Sequence, residues 1–183
     1  MVLALLGSLL ITAATPSEAP LVPFFVPRSL EVGVFINSPL VTPHFRLSWE
    51  GAIIDQPRNV LEWNLAVGSG FGVAPPSPMT AHFQHVVLGG VGYRSDRQLL
   101  HWGFRVTAGP LWYRAAFAPG SFYAFENRVV GYAEGRVQAG LRLQPHLRLA
   151  AYVGFGAPFT FQRQYPGNTY VGNFNVGVVL DWW

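Results

Sequence analysis

From Leu30 onward, apolar and polar residues change places at every step. Leu30, Val32, Val34 and Ile36 oppose Glu31, Gly33 and Asn37, and Phe45, Leu47, Trp49 and Ile53 oppose His44, Arg46, Ser48 and Glu50. Leu61, Trp63, Leu65 and Val67 then face away from Glu62, Asn64 and Gly68, and Phe83, Val87, Val91 and Tyr93 from His82, Gln84, Gly90 and Arg94. Leu100, Trp102, Phe104 and Val106 oppose His101, Arg105 and Thr107. Val129, Val137, Leu141 and Leu143 oppose Tyr132, Glu134, Arg136, Gln138 and Arg142. Leu147, Leu149, Val153 and Phe155 oppose His146, Arg148 and Tyr152. The last segment sets Tyr170, Phe174, Val176, Val178, Leu180 and Trp182 against Asn173, Asn175, Gly177 and Asp181. A strand turns successive side chains to opposite faces, so period-two patterning of this length predicts eight half-apolar strands; helical spacing fits it poorly.

The connections alternate in length. Asp55 to Asn59, Ser95 to Arg97 and Gln144 to Pro145 read as tight hairpin turns rich in Asp, Pro, Asn and Ser. Gly70 to Ala81, Pro110 to Asn127 and Pro158 to Asn168 read as longer links with Gly, Pro and aromatics. Only the first link, around Pro39 to Pro43, is short where a long one is expected. An even strand count, short turns at one end and longer loops at the other are the habit of outer-membrane barrels, with both chain ends on the periplasmic side.

Charge follows the same parity. Glu31, Arg46, Glu50, Glu62, Arg94, Arg97, Arg105, Arg128, Glu134, Arg136, Arg142, Arg148 and Asp181 all fall on the polar side of their segments. An Arg on a lipid-facing midplane position would cost about 2–4 kcal/mol, which explains such a bias. Trp63, Tyr93, Trp102 and Trp182 fall near the turn ends of the apolar face, and Phe45, Phe83, Phe155 and Tyr170 near the loop ends. These are the expected aromatic girdles.

Composition narrows the solvent. Half of the 183 residues are hydrophobic and only 11% are charged, against roughly 25% charged in soluble domains. A soluble lipocalin-like barrel would need a densely charged outer face, which this chain lacks. No stretch approaches the ~18 apolar residues of a spanning helix, so a membrane reading requires strands. The chain has no Cys, and its twelve basic residues are all Arg, spread among acidic residues rather than gathered as a nucleic-acid binder would gather them.

Residues 1–19 read as an export signal, with Leu3 to Ile11 as the apolar core and cleavage after Ala14 or Ala19. Residues 20–183 then form the barrel domain.

With its export signal, eight alternating segments and aromatic finish Phe174-Asn-Val-Gly-Val-Val-Leu-Asp-Trp-Trp183, the chain resembles the small bacterial outer-membrane barrels of the OmpA, OmpX and opacity-protein type. The resemblance covers nearly the whole mature chain and rests on pattern. It implies an all-β, antiparallel, up-and-down transmembrane β-barrel in the outer membrane, surrounded by lipid and lipopolysaccharide, and recognition by the barrel-assembly machinery. One departure stands at the end: Trp182 holds the lipid parity and Trp183 the other.

The polar parity becomes the lumen, which in an eight-stranded barrel is only wide enough for side chains to fill. Glu31, Glu50, Glu62, Glu134 and Asp181 face Arg46, Arg105, Arg136, Arg142 and Arg148 in near balance. Buried charges persist when paired, so the expected interior is a plug of Arg–carboxylate contacts padded by Tyr132, Tyr152, His101 and Gln138, with Arg148–Asp181 one pair. The alternative is a charged constriction that selects solutes.

Catalysis finds little support. A Ser nucleophile needs a His base within hydrogen-bond reach and a carboxylate to orient it. His44, His85 and His101 are followed two residues later by Arg46, Val87 and Gly103, so a His-x-Ser arrangement is missing, and only an unconstrained approach of His82 or His85 to Ser121 or Glu126 remains. The five His are dispersed, and neither metal nor cofactor is expected. Functional contact is expected instead at the outer links, where Phe117, Phe122, Tyr123, Phe125, Phe159, Phe161 and Tyr165 accompany Arg114 and Arg163. Aromatics and Arg dominate binding energy at interfaces, although the same aromatics could only anchor the barrel. The sequence therefore points to a non-enzymatic envelope barrel with a surface-contact role, then to a small porin-like channel, and third to a lipopolysaccharide-modifying enzyme.

Overall fold

The alternation closes on itself. In a computed structural model describing residues 26–37, 40–73, 75, 77–97, 99–121, 124–159, 171 and 174–182, eight strands form one ring. They are β1 (Ser29–Asn37), β2 (Leu40–Gln56), β3 (Asn59–Phe71), β4 (Met79–Arg97), β5 (Leu100–Phe117), β6 (Phe125–Gln144), β7 (Leu147–Pro158) and β8 (Phe174–Trp182). Each pairs antiparallel with the next, and β1 returns to β8 from Ser29↔Asp181 to Ile36↔Phe174, leaving no free sheet edge around the ring. The export signal (1–19), Tyr170, Trp183 and the link residues Phe122, Tyr123, Phe161, Arg163 and Tyr165 lie outside the described residues.

Three links differ from expectation. The link expected around Pro39 to Pro43 is strand from Leu40 onward: β2 starts there, paired with Asn37, and Pro43 pairs with Val34. Ser95 to Arg97 is strand, paired with Leu100 to Trp102, so the turn falls two residues later. The largest change is Pro110 to Asn127, where β5 runs on to Phe117 and β6 begins at Phe125. Pro110 reads as a breaker, yet the β4–β5 ladder skips from Gly89↔Ala108 to Val86↔Leu111 while β6 stays paired through Pro110↔Gly131. The strand thus accommodates a residue without an N–H where one ladder is already interrupted.

Inside and outside follow the parity, except that Arg97, counted with the polar side, is exposed on the outward parity at the end of β4. Val106 is 55% exposed and Glu31 1%, the reverse of a soluble core. The wall is uneven, with β4, β5 and β6 of 19, 18 and 20 residues against nine each in β1 and β8. The lumen is layered. Charged side chains fill its middle and turn end, while the loop half holds an apolar cluster of Phe35, Met79, Val86, Leu88, Leu111, Tyr113, Val130, Tyr132 and Val171. The expected interior, Arg–carboxylate contacts padded by Tyr and polar side chains, did not include this apolar layer. The signal lay in the runs Val86-Val87-Leu88, Val129-Val130 and Leu111-Trp112-Tyr113, which are apolar on both parities.

Two lumen glycines make room for tyrosines. A Cβ at Gly33 would overlap the Tyr152 hydroxyl, and one at Gly156 the Tyr132 hydroxyl. Gly33→Val is expected to destabilise the refolded barrel by about 1–3 kcal/mol through overpacking, read from its urea midpoint in detergent. An unchanged midpoint would mean that Tyr152 moves aside freely.

Candidate functional site

Every strand sends polar side chains into the lumen, and their contacts run across the barrel. Arg46 on β2 reaches β6 on the opposite wall, where its Nη1 and Nη2 each donate to a Glu134 carboxylate oxygen at 2.8 Å. Such bidentate pairs fix geometry as well as energy. Arg46 also lies 3.4 Å from Glu31, which Arg136 in turn engages through Nη1. Two glutamates and two arginines thus form a balanced cluster, each nearly excluded from solvent.

Neutral groups complete the cluster. The Tyr132 hydroxyl and Asn175 Nδ2 donate to Glu134 at 3.2 Å each, and the Tyr152 hydroxyl donates to Asn175 Oδ1 at 3.1 Å. His44 Nε2 sits 3.2 Å from Glu31 and 3.1 Å from Tyr152. The arginine planes are packed as well as paired: Arg46 lies 5.1 Å from the Phe35 ring centre and Arg136 lies 5.0 Å from that of Tyr152.

Nearer the turn end a second cluster joins Arg105 Nη2 to Glu50 at 2.7 Å and Glu62 at 2.8 Å, with Arg94 Nη1 on Glu62 at 2.7 Å. Asn64 and Ser29 donate to Glu50 at 3.2 Å each. At the mouth, Asp96 takes Arg148 at 2.9 Å and Arg94 at 3.3 Å, with the half-exposed Arg142 at 3.9 Å. This corrects the expected Arg148–Asp181 pair. The two residues are register partners across β7 and β8, but Arg148 bridges instead to β4. Asp96 was hidden in a segment read as a turn. Asp181 is buried in the lumen, as placed.

The outward face carries the aromatics. Near the turn end, Trp63 lies over Gly51, Tyr93 packs 5.6 Å from Trp102 and 5.7 Å from Phe104, and Trp182 is half-buried. Phe45, Phe83 and Phe155 project outward toward the loop end. Sequence reading missed their neighbour Trp112 and placed Phe125 in a link instead of on β6, because both fell inside the expected Pro110–Asn127 link. Arg114 was placed in that loop too; it projects from β5 on the outward parity.

Among the described residues neither His82 nor His85 is hydrogen-bonded to Ser121 or Glu126. His82 is buried and stacks 6.1 Å from Tyr113, whose hydroxyl donates to Glu126 at 3.2 Å. His85 Nδ1 and Ser69 Oγ lie 2.8 Å apart on the outward face, a cross-strand pair that spacing within one strand could not reveal. Among the described residues no carboxylate is hydrogen-bonded to this imidazole. Among the described residues no group of three His, Asp or Glu side chains could share a metal ion.

No family model matches the chain, and no curated protein does. Among solved structures it is similar to Ail, the attachment invasion locus protein of Yersinia pestis, at 11% identity with a TM-score of 0.46, covering 84% of this chain and 90% of that one. No role is carried over from that likeness.

Glu134→Gln strips the counter-charge from a buried Arg46 and is expected to destabilise the barrel by about 3–5 kcal/mol, read by urea titration of the refolded protein. The double substitution Arg46→Met with Glu134→Leu should recover most of that loss, since replacing a buried pair by apolar side chains is often neutral. Equal loss in both variants would show that the pair's shape, and not its charge balance, holds the lumen.

Proposed function

We propose that this chain is a non-enzymatic bacterial outer-membrane barrel with a closed lumen, acting through its outer surface and loops. What carries the reading is the combination of an outward apolar belt with salt bridges that cross the interior. Among the described residues no helix is long and apolar enough to span a membrane; the belt belongs to strands. Val32, Leu65, Val91, Val106, Val137 and Val178 are all at least two-fifths exposed around it, which water would not favour and hydrocarbon would.

The closed lumen argues against the porin-like alternative. Below, Arg46–Glu134 and Arg105–Glu50 cross the interior; above, Leu88, Leu111, Tyr113 and Tyr132 fill it. An ion passing through would have to break paired charges and then cross an apolar layer. The envelope-supporting and surface-contact role follows by chemistry: with the interior sealed, groups available to partners lie on the wall, the loops and the rims.

Two measurements test this. Single-channel recording of the refolded barrel in a planar bilayer should be silent for the wild type, with Glu134→Gln and Arg136→Gln alongside; steady openings shifted by these changes would favour a charged pore. Val106→Arg should cost about 2–4 kcal/mol for folding into phospholipid vesicles. A neutral effect there would argue that this face meets water.

A further inference from the structure

At its loop end the outward face carries one side-chain assembly that the lumen does not use. Ser69 pairs with His85, and His85 stacks on Trp112 with ring centres 5.0 Å apart. The Trp112 indole N–H donates to Asn127 Oδ1. The Arg114 guanidinium lies 5.4 Å from the Trp112 ring centre and 5.5 Å from that of Phe125. Four strands, β3 to β6, therefore contribute to one ordered patch around a single cation. Arg114 is exposed while its neighbours Tyr113 and Ala115 are buried inward. Among the described residues no carboxylate forms an ion pair with it.

Depth gives the patch its meaning. Trp102 and Trp112 stand ten positions apart on the outward parity of β5. At about 3.4 Å per residue and a tilt of about 40°, they are separated by about 25 Å along the barrel axis, the height of the apolar band of a membrane barrel. Arg114 is the next outward residue beyond that band, at headgroup depth.

We propose that Arg114, framed by Trp112 and Phe125 with Asn127 and His85 beside it, binds the phosphate of a phosphorylated lipid headgroup in the loop-end leaflet. The proposal rests on the membrane-barrel reading above. A guanidinium offers a planar fork of donors that matches phosphate oxygens, and contact with two rings holds that plane outward instead of letting it wander. Because Asn127 accepts from Trp112 through Oδ1, its amide nitrogen remains a donor. The contact of His85 Nδ1 with the Ser69 hydroxyl and its stacking on Trp112 hold the imidazole beside the same cation.

The test uses the full chain refolded in detergent and native mass spectrometry with lipid A bearing its phosphates, the same lipid A after phosphatase treatment, and inorganic phosphate. The wild type should bind the phosphorylated lipid at least about tenfold more tightly than the dephosphorylated one, and Arg114→Gln should abolish that preference. Arg114→Lys should retain part of it, and Arg97→Gln, an exposed arginine at the turn end, all of it. An unchanged preference in Arg114→Gln overturns the site, and full displacement of lipid by millimolar inorganic phosphate overturns the headgroup as its ligand. Asn127→Leu, which removes a neutral donor and keeps the charge, provides a second reading should Arg114→Gln fail to fold. Flotation of the wild type with phospholipid vesicles is scored separately, so that failure to insert counts against the membrane reading and not against the site.

Discussion

The bidentate contact between Arg46 and Glu134 joins two strands that stand opposite each other in the ring, and most of the lumen is arranged around it. Two buried charges this far from water are tolerable only when each keeps several partners. Tyr132 and Asn175 supply them to Glu134, while Glu31 and the Phe35 ring supply them to Arg46. Glu31 then requires Arg136, and Arg136 lies against Tyr152. The tyrosines fit because Gly33 and Gly156 lack side chains. One ion pair thus dictates residue choices on β1, β2, β6, β7 and β8, which is why substitutions near it propagate instead of staying local.

Above that network the lumen changes character, and the boundary between the two layers matters. A polar plug alone can hydrate and rearrange, whereas an apolar plug alone gives no register to the strands around it. Here the charges set which residue faces which across the barrel, and the packed Leu88, Leu111, Val130 and Tyr113 keep water from loosening them from the loop side. His82 and Gln84 are exceptions: they are 1% exposed, and their side-chain nitrogens and oxygens have no hydrogen-bond partner among the described residues.

Much of this was legible in the chain. Period-two alternation gave strand number, order and the side of the wall on which Glu31, Arg46, Glu134 and Arg136 lie, because parity is local and needs no tertiary knowledge. Partners were less legible. Arg148 and Asp181 sit in register on adjacent strands, yet a long arginine reaches across a narrow barrel as easily as sideways, and it takes Asp96 on β4. Strand ends were poorly legible wherever proline stood, since Pro43 and Pro110 read as breakers and lie inside strands. That error hid the assembly's place on the wall, because Trp112, Arg114 and Phe125 were assigned to a link, whereas β5 runs to Phe117 and β6 begins at Phe125. The Ser69–His85 contact was invisible for a different reason: it depends on the β3–β4 register, which sequence spacing along one strand does not encode.

The short strands at the seam bear on how the molecule comes to exist. β1 and β8 are paired over eight positions only, whereas β5 and β6 are paired over seventeen, and the seam joins residues at opposite ends of the chain. Closing so long a loop carries the largest chain-entropy penalty of any pairing in the ring. Until that closure, Glu31 and Asn175 stand at opposite margins of an open sheet, and Arg136 and Glu134 lack them. The interior is therefore not a core that could stand without the wall: its central charges are complete only when β1 and β8 meet, and wall and filling stand or fail together.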